Sequence, residues 1–391
     1  MPYTKLGSID QIAEVIGKQL KEEDISVVLF GDSPIEEETR PDIDMIDDNN
    51  QIGRALGDFR RTIEAIPIEN NWNTEFRKIN INEGLNNEYL LNYFIDGSIR
   101  TKYLGELITS NGSGGALMLA SIGAIAVKID YGSNKVLPVI TKSKLYVYMI
   151  SNLSDTTKER IKNELGKLNP PVNVEFLTQE ETQENIRGAA GGKARNEMHN
   201  TEIEVAKVAR SINPDLGWIV IDGALRKKEF IELDRAIGVA KSFGQKVIFK
   251  EERTKTISYL ARMKKGERSK VYRYKILSSN NESDEKDTLE RIAFWYLRIR
   301  EPPPEMIPLG GIVKVDLSLK ENNEFNNITE IADNLSESIL KIADPSIFPR
   351  PRWPSFLYPI RVAEEYLEPI LYSREEFLRL GISLKRVMYN V

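Results

Sequence analysis

The sequence of 391 residues contains no cysteine and only one histidine, His199. Disulfides and thiolate chemistry are therefore excluded, and this composition suits a cytoplasmic protein. Zinc sites need clustered cysteine and histidine, and a Ser-His-Asp triad needs a well-placed histidine, so both kinds of site are disfavoured. Any metal ion must be bound mainly by oxygen, which indicates Mg²⁺ or Mn²⁺.

Long apolar runs are also missing. No stretch of about 18 or more apolar residues occurs, so no segment is expected to span a membrane. The first residues, 1–24, predict an amphipathic helix and lack the apolar core of a signal peptide. The net charge of −5 is mildly acidic, and the composition is that of a globular protein whose length allows two or three domains.

The order of the predicted elements indicates an α/β protein with a mixed sheet flanked by helices. Residues 1–90 are expected to be mostly helical, with an acidic, solvated loop at 34–50. The remaining chain, 91–391, is predicted to form one domain with insertions near 151–195 and 255–290. Its elements are predicted as strands within 91–150, a helix over 195–212, a strand over 217–222, a helix over 226–243, and strands over 245–250, 291–300 and 310–319.

Two apolar strands each run into an aspartate followed by glycine. Asp96 follows the apolar run YFI, and Asp222 follows the apolar run WIVI; glycine comes next in both cases. One such dipeptide is usually a plain turn, because aspartate bonds its own backbone and glycine accepts a positive φ. In α/β sheets, however, functional groups gather at the carboxyl ends of strands. Two aspartates on neighbouring strands could therefore hold a divalent cation, and the glycines would let backbone or phosphate come close.

A helix that precedes Asp222 supplies a third acid. Its apolar face is formed by Met198, Val205, Ala209 and Ile212. Glu202 lies within that face, whereas Glu204 points to the opposite side. Burying an acid is costly unless it is paired or bound to metal, so Glu202 is either a metal ligand or an edge residue that snorkels or pairs with Arg195. His199, near the same stripe, is interpreted as a surface or capping residue.

The strand, helix and strand acids together form a triad of Asp96, Glu202 and Asp222. Such a set suits two-metal hydrolysis of a phosphodiester bond, in which the cations activate water and stabilise the leaving oxygen. RNase H-like nucleases use a similar set of acidic residues to hold two metal ions. The open alternative is an unrelated α/β enzyme with two coincidental Asp-Gly turns.

Several pieces of the sequence, in this order, resemble the NurA nucleases, whose catalytic domain is RNase H-like. The resemblance extends over about 90–390 and rests on IDGS, the helix before IVIDGAL, VIFKEERTKTISYL, WYLRIREPPP with IPLGGIVKVDL, and SFLYPIRVAEEYL. It implies an RNase H-like mixed sheet and metal ligation by Asp96, Asp222 and Glu202. It also implies a functional lysine after the third strand, which maps to Lys250.

The C-terminal Tyr-Pro element departs from the family pattern. The family places a histidine eight residues after this tyrosine, near the metal ions, whereas here Tyr358 is followed at that spacing by Tyr366. Tyrosine is a poor ligand for Mg²⁺ or Mn²⁺ at neutral pH, because its hydroxyl pKa is about 10. Either Glu365, our assignment, or Glu364 replaces the ligand, or the protein is a weakened nuclease. Tyr358 itself is expected to shape the site.

A basic stretch at 253–275 is a candidate nucleic-acid surface. Tyrosines are interleaved with its lysines and arginines, a pattern typical of backbone tracking combined with base stacking. A basic, exposed hairpin without a ligand is the plainer interpretation. The proline-punctuated stretch at 348–361 is a second candidate. The residues predicted to contact nucleic acid are Arg100, Lys255, Arg262, Lys264, Lys265, Arg352 and Trp353.

These features predict a metal-dependent DNA nuclease that acts in DNA end processing or in defence against foreign DNA. The alternative is a catalytically weak family member that serves as a DNA-binding or scaffolding subunit. The resemblance implies a homodimer docked to a hexameric HerA-type ATPase. The sequence lacks a GxxxxGK[ST] loop, so movement along DNA would be powered by that partner. Apolar stripes on the predicted terminal helices, 6–22 and 360–388, could cover a partner or pack on the protein's own core.

Overall fold

A computed structural model gives the fold. It describes residues 5–29, 36–37, 63–69, 74–82, 84, 86–110, 114–150, 153–177, 186–212, 217–225, 227–243, 248–249, 253–276, 290–301, 308–319, 327–343 and 357–389. In these ranges no helix has both the length and the apolar character needed to cross a membrane.

The described part of the chain forms helices around one sheet. The helices are α1 (Lys5–Glu22), α2 (Asp155–Gly166), α3 (Ile186–Ile212), α4 (Lys228–Glu232), α5 (Arg253–Ala261), α6 (Ile328–Lys341), α7 (Tyr358–Leu367) and α8 (Arg374–Tyr389). The strands are β1 (Ser26–Leu29), β2 (Glu36–Glu37), β3 (Ile63–Pro67), β4 (Arg77–Lys78), β5 (Leu91–Ile108), β6 (Gly114–Asp130), β7 (Lys135–Ile150), β8 (Val172–Phe176), β9 (Trp218–Asp222), β10 (Ala236–Ala240), β11 (Glu267–Arg268), β12 (Tyr272–Ile276), β13 (Ile292–Arg298) and β14 (Ile312–Ser318).

The sheet is mixed, and its strand order is β3-β12-β13-β14-β10-β9-β5-β6-β7-β8. Strands β5, β6 and β7 are antiparallel neighbours, whereas β5, β9 and β10 run parallel. Strand β14 then pairs antiparallel with both β10 and β13. The predicted mixed α/β sheet flanked by helices is therefore confirmed.

Helices cover both faces of the sheet, which explains why its central strands are mostly apolar on both faces. On one face Ile95 of β5 packs in a cluster with Val205 of α3, and we call this the α3 face. On the other, Phe94 and Val220 pack with Ala363 of α7, and we call this the α7 face. Side chains alternate along a strand, so each position of β5 and β9 belongs to one of these faces.

Two predicted elements differ from the structure, and a third lies mostly outside the described residues. Strand β5 continues through Asp96 and Gly97 instead of ending there. The helix predicted over 226–243 is instead the short helix α4 followed by strand β10. A short apolar run such as AIGVA cannot be assigned to strand or helix by periodicity alone. Most of the strand predicted over 245–250 lies outside the described residues.

The N-terminal region joins the same sheet. Strands β1 and β2 pair with β5, and β3 pairs with β12. Helix α1 packs on α8, where Ile12 and Leu384 share one buried cluster. The terminal apolar stripes therefore cover each other, although Ile382 of α8 remains 57% exposed. Most of the acidic stretch 34–50 lies outside the described residues, and a domain division at residue 90 stays a prediction.

Candidate active site

Asp96 and Asp222 lie at neighbouring positions of the sheet. The parallel strands β5 and β9 are in register at Ile95 and Ile221, so the two aspartates are the next residues along their strands. Both follow the alternation that places Phe94 and Val220 on the α7 face. Strand β9 ends at Asp222, whereas Asp96 is still paired with β6. Asp96 is buried as a result.

The turn after Asp222 is fixed by close contacts. Gly223 has a φ of 120°, a conformation that glycine adopts readily. A Cβ atom built at Gly238 of β10 would lie 2.6 Å from the carbonyl oxygen of Gly223, so the turn crosses β10 where no side chain exists. The Leu225 amide then donates to Asp316 Oδ2 at 3.2 Å. This turn holds Asp222 at the carboxyl end of the central strand β9.

Lys241 links two acids on the α7 face. It follows β10 directly, and its Nζ lies 2.9 Å from Asp222 Oδ2 and 3.1 Å from Glu364 Oε1 of α7. Burial lowers the pKa of Lys241, but Asp222, Glu364 and Asp96 raise it by more, so the net shift is upward. The ammonium is therefore charged at neutral pH.

Glu202 approaches from the α3 face. Its carboxylate lies over Gly97, because a Cβ built at Gly97 would be 2.5 Å from Glu202 Oε1. Among the described strands, none pairs with the β9 side of β5 between Ile95 and Arg100. Glu202 Oε2 lies 2.8 Å from His199 Nδ1.

The predicted helix face agrees with the burial of the two glutamates of α3. The Glu202 side chain is 4% exposed, whereas that of Glu204 is 43% exposed. Glu204 pairs with Lys142 and Lys144 of β7 at 2.8 and 3.0 Å. Glu202 is thus the acid that α3 turns towards β5, and Glu204 belongs to the surface.

Among the described residues, carboxylates outnumber ammonium groups in this cluster, where Asp96 and Glu202 are buried and Asp222 and Glu364 are half-buried. Burial raises the pKa of Asp96 well above its ordinary value, and nearby Asp222, Glu364 and Glu202 raise it further, against the opposing effect of Lys241. The cause is the cost of several carboxylates that share a poorly solvated volume. We call these five residues the acidic cluster. Such an excess favours the binding of a cation.

The donor set of the acidic cluster suits Mg²⁺ or Mn²⁺, since every candidate ligand is a carboxylate oxygen. The side chains do not converge on a common point, however. In the part of the chain that the structure describes, no three Asp, Glu or His residues are grouped so as to hold a metal ion. Lys241 separates Asp222 from Glu364, and Glu202 comes from the opposite face. The chemistry fits a metal ion, and ligation would require these side chains to rearrange.

Helix α7 presents Glu364, rather than Glu365, to the cluster. Consecutive helical residues point about 100° apart, so only one of the two can face the sheet. Glu365 is 57% exposed and pairs with Arg361 at 3.5 Å. Tyr366 is exposed as well. Tyr358, at the start of α7, is exposed and lies with its ring 5.4 Å from the Arg361 guanidinium, so its role in shaping the site stays a prediction.

Lys241 is the residue that sequence reasoning missed. The functional lysine was mapped to Lys250, which lies outside the described residues. The apolar run AIGVA gives the signal that could have found Lys241, since it forms the strand after β9 and Lys241 follows it immediately. The helix predicted over 226–243 includes that run, so no strand end is predicted at Lys241. A functional role for Lys250 stays a prediction.

The basic stretch 253–275 contributes more to the core than predicted. Tyr272 and Tyr274 are buried, and the ring of Tyr274 lies 4.5 Å from that of Phe294. They are therefore unsuited to base stacking. Arg268 is also fully buried and pairs with Glu69. These residues alternate with less buried ones along β11 and β12, which explains the interleaved pattern in the sequence.

Four predicted nucleic-acid contacts remain on the surface. Lys255, Lys264 and Lys265 are exposed, and Arg262 is exposed while paired with Glu75. Arg100 instead donates to the carbonyl oxygens of Glu368 and Tyr372 at 3.4 and 3.5 Å, in the turn after α7. The last two predicted contacts, Arg352 and Trp353, lie outside the described residues.

Comparison with known proteins agrees with the resemblance in the sequence. The family model of the NurA domain matches residues 90–367, well over half of the chain. The matched range contains all five residues of the acidic cluster. No curated protein matches the sequence.

Proposed function

Because the chain belongs to the NurA domain family, a family of nucleases, we propose that it is a metal-dependent deoxyribonuclease that hydrolyses phosphodiester bonds. The observation that carries this proposal is the excess of carboxylates over ammonium groups in the acidic cluster, which raises the pKa of buried Asp96. Asp222 and Glu364 contact one ammonium, that of Lys241, while Asp96 and Glu202 add further negative charge. A divalent cation would neutralise the excess.

The residues of the acidic cluster would have different roles in the reaction. Asp96, Asp222 and Glu202 would hold the metal ions, and Glu364 would take the role that the family gives to a histidine. Bound as a pair, such ions activate water and stabilise the leaving oxygen. Burial strengthens the interaction of every charged group with phosphate, because the local dielectric constant is low. Lys241 would then exchange carboxylate partners for a phosphate oxygen, to which its ammonium can donate.

The rest of the fold supports the same proposal. Strands β7, β6 and β5 are antiparallel and are followed across the sheet by parallel β9 and β10, which supports the expected RNase H-like core. Exposed Lys255, Lys264 and Lys265 would contact DNA phosphates and make binding sensitive to salt. Tyr272 and Tyr274 of the same stretch are buried and are therefore left out of this surface.

The test is cleavage of linear DNA with Mn²⁺, Mg²⁺ or EDTA. Activity should require one of the two cations and fall at least about 100-fold in Asp96→Ala and Asp222→Ala, since losing a ligand of a two-metal site removes several kcal/mol of charge stabilisation. Asp155→Ala is the matched control, because this aspartate of α2 is exposed. Cleavage undiminished in both cluster variants, with folding verified by circular dichroism, would refute the assignment.

A catalytically weak DNA-binding subunit is the second candidate. Two observations favour it: Tyr366 stands where the family has a histidine, and no three-ligand group is preformed among the described residues. DNA binding without cleavage in either cation would support it.

We also propose a homodimer that works with a hexameric HerA-type ATPase, in DNA end processing or in defence against foreign DNA. The family generally works with such ATPases and DNA. Since α1 and α8 pack on each other, a partner would contact their outward residues, such as Ile382. The mass of the protein, alone and mixed with the ATPase, tests this. A monomer that neither co-elutes with the ATPase nor alters its DNA-dependent hydrolysis would refute the assembly.

A further inference from the structure

We propose that His199 is a positioning residue, which orients Glu202 for metal binding by donating its Nδ1–H to that carboxylate. The inference rests on the proposed function, because it assigns Glu202 to the metal set. It differs from the role expected from the sequence, in which this histidine is a surface or capping residue of α3.

The contact is short and largely shielded from solvent. His199 Nδ1 lies 2.8 Å from Glu202 Oε2, and the two side chains are 14% and 4% exposed. The residues are three apart on α3, a spacing that places their side chains on one helix face. An ionised carboxylate only accepts hydrogen bonds, so Nδ1 carries the hydrogen whenever Glu202 is charged.

Glu202 is held from two sides. The carboxylate lies against the backbone of β5 at Gly97, where a Cβ atom would be 2.5 Å from Oε1. The imidazole contacts the other oxygen, Oε2. Close packing at Gly97 restricts how closely the Glu202 carboxylate can approach the backbone of β5. The hydrogen bond to His199 restricts rotation of that carboxylate. Together these contacts limit the rotamers of a side chain that otherwise has three rotatable bonds.

Glu202 needs such support more than the other acids of the cluster. It is the member that reaches β5 from the α3 face, where its carboxylate lies over Gly97. Asp96 and Asp222 are short side chains placed directly by paired strands. Groups that hydrogen-bond a metal ligand orient it, and their loss typically lowers metal affinity by about 10- to 100-fold.

An ordinary helix-stabilising pair is the competing explanation, and α3 contains a matched example. Asn200 Nδ2 donates to Glu197 Oε1 at 3.0 Å, again between residues three apart. This pair is exposed and neither residue belongs to the acidic cluster. Asn200→Ala should therefore remove a comparable helix contact without touching Glu202.

The experiment is a calorimetric titration of the full chain with Mn²⁺ alone, in the absence of DNA. His199→Gln should bind Mn²⁺ about 10- to 100-fold more weakly than the wild type, because its amide is displaced from the Nδ1 position. His199→Asn should restore near-wild-type affinity, because its Nδ2 can occupy that position. Asn200→Ala should bind normally. Unfolding in EDTA checks that each variant folds, and His199→Ala provides a second truncation.

Failure of this inference is distinguishable from failure of the proposed function. A wild type that binds no Mn²⁺ would refute the metal-dependent function itself. If the wild type binds and Glu202→Ala weakens binding, but His199→Gln and His199→Ala bind normally, only the positioning role is overturned. Equal weakening by His199→Asn and His199→Gln would also overturn it, because Nδ1 donation could not then be the cause. Normal binding by Glu202→Ala would remove its premise.

Discussion

Two clusters of buried charge differ in how they are balanced. The guanidinium of Arg268 pairs with both carboxylate oxygens of Glu69, at 2.8 and 3.0 Å, and with Asp333 at 2.7 Å. The carbonyl oxygens of Ser269 and Thr329 accept from its remaining N–H groups. All five donors of this side chain thus have acceptors. The arrangement is complete without any ligand.

The acidic cluster has the opposite character. Lys241 contacts Asp222 and Glu364, while the pKa of Asp96 is raised by burial and by the neighbouring acids. Its carboxylates outnumber its ammonium group. The comparison indicates that buried charge does not itself mark a functional site. The distinguishing feature is an excess of carboxylates over cations among the described residues of the cluster.

The largest expected effect on stability is at the balanced cluster. Arg268→Ala should lower the free energy of unfolding by about 3–5 kcal/mol, because it leaves Glu69 without its buried partner. The loss should be the same with and without Mn²⁺. Urea denaturation provides the measurement. Arg379→Ala, which breaks an exposed pair with Asp10, is the control and should change stability little. An equally small change in Arg268→Ala would contradict the structural role given to this cluster.

A smaller effect on the free energy of unfolding, an increase rather than a decrease, is expected at neutral pH when Asp96 is replaced. Its pKa in the folded state lies above the unfolded value, so the folded protein binds more protons once the pH exceeds about 4. In EDTA, stability from this group should be present at low pH and be lost as the pH rises through the folded pKa. Asp96→Asn should weaken that dependence and raise stability at neutral pH.

Thermal unfolding across a pH series in EDTA measures this effect. Mn²⁺ should stabilise the wild type at neutral pH and should do so less in Asp96→Asn. The account would be contradicted if, in EDTA, the stability of the wild type and of Asp96→Asn rose equally with pH. The excess negative charge of the cluster would then not destabilise the folded protein.

The smallest expected effect is a difference in Mn²⁺ affinity between variants of two adjacent glutamates of α7. Glu364→Gln should weaken Mn²⁺ binding measurably, since this side chain contacts Lys241 at the cluster. Glu365→Gln should not, because that side chain is exposed and pairs with Arg361. Titration calorimetry on both variants provides the comparison. If only Glu365→Gln binds more weakly, the helix face assigned to the cluster is the wrong one.

The sequence was sufficient to find the aspartates because their signal is local. An apolar strand that runs into Asp-Gly is visible at Asp96 and at Asp222, and the register of β5 and β9 brings them together. The inward face of α3 was likewise visible from the spacing of its apolar residues. The confirmed mixed sheet follows from the same patterns of strand and helix.

Other parts of the site depend on information that a single sequence does not carry. Glu364 and Glu365 are adjacent, and only the packing of α7 decides which one faces the sheet. Lys241 was missed because five apolar residues are too few to distinguish strand from helix. The pairing of Glu69 with Arg268 joins residues far apart in the chain, and no local pattern marks it.

A crystal structure of the protein grown with Mn²⁺ would test the central claim most directly, that the acidic cluster is a metal site completed by a cation. Anomalous scattering should place Mn²⁺ between Asp96 and Asp222, with Glu202 as a further ligand and with Lys241 displaced from Asp222. Mn²⁺ bound only elsewhere, or a fully loaded crystal in which Lys241 still pairs with Asp222 and Glu364, would contradict the account.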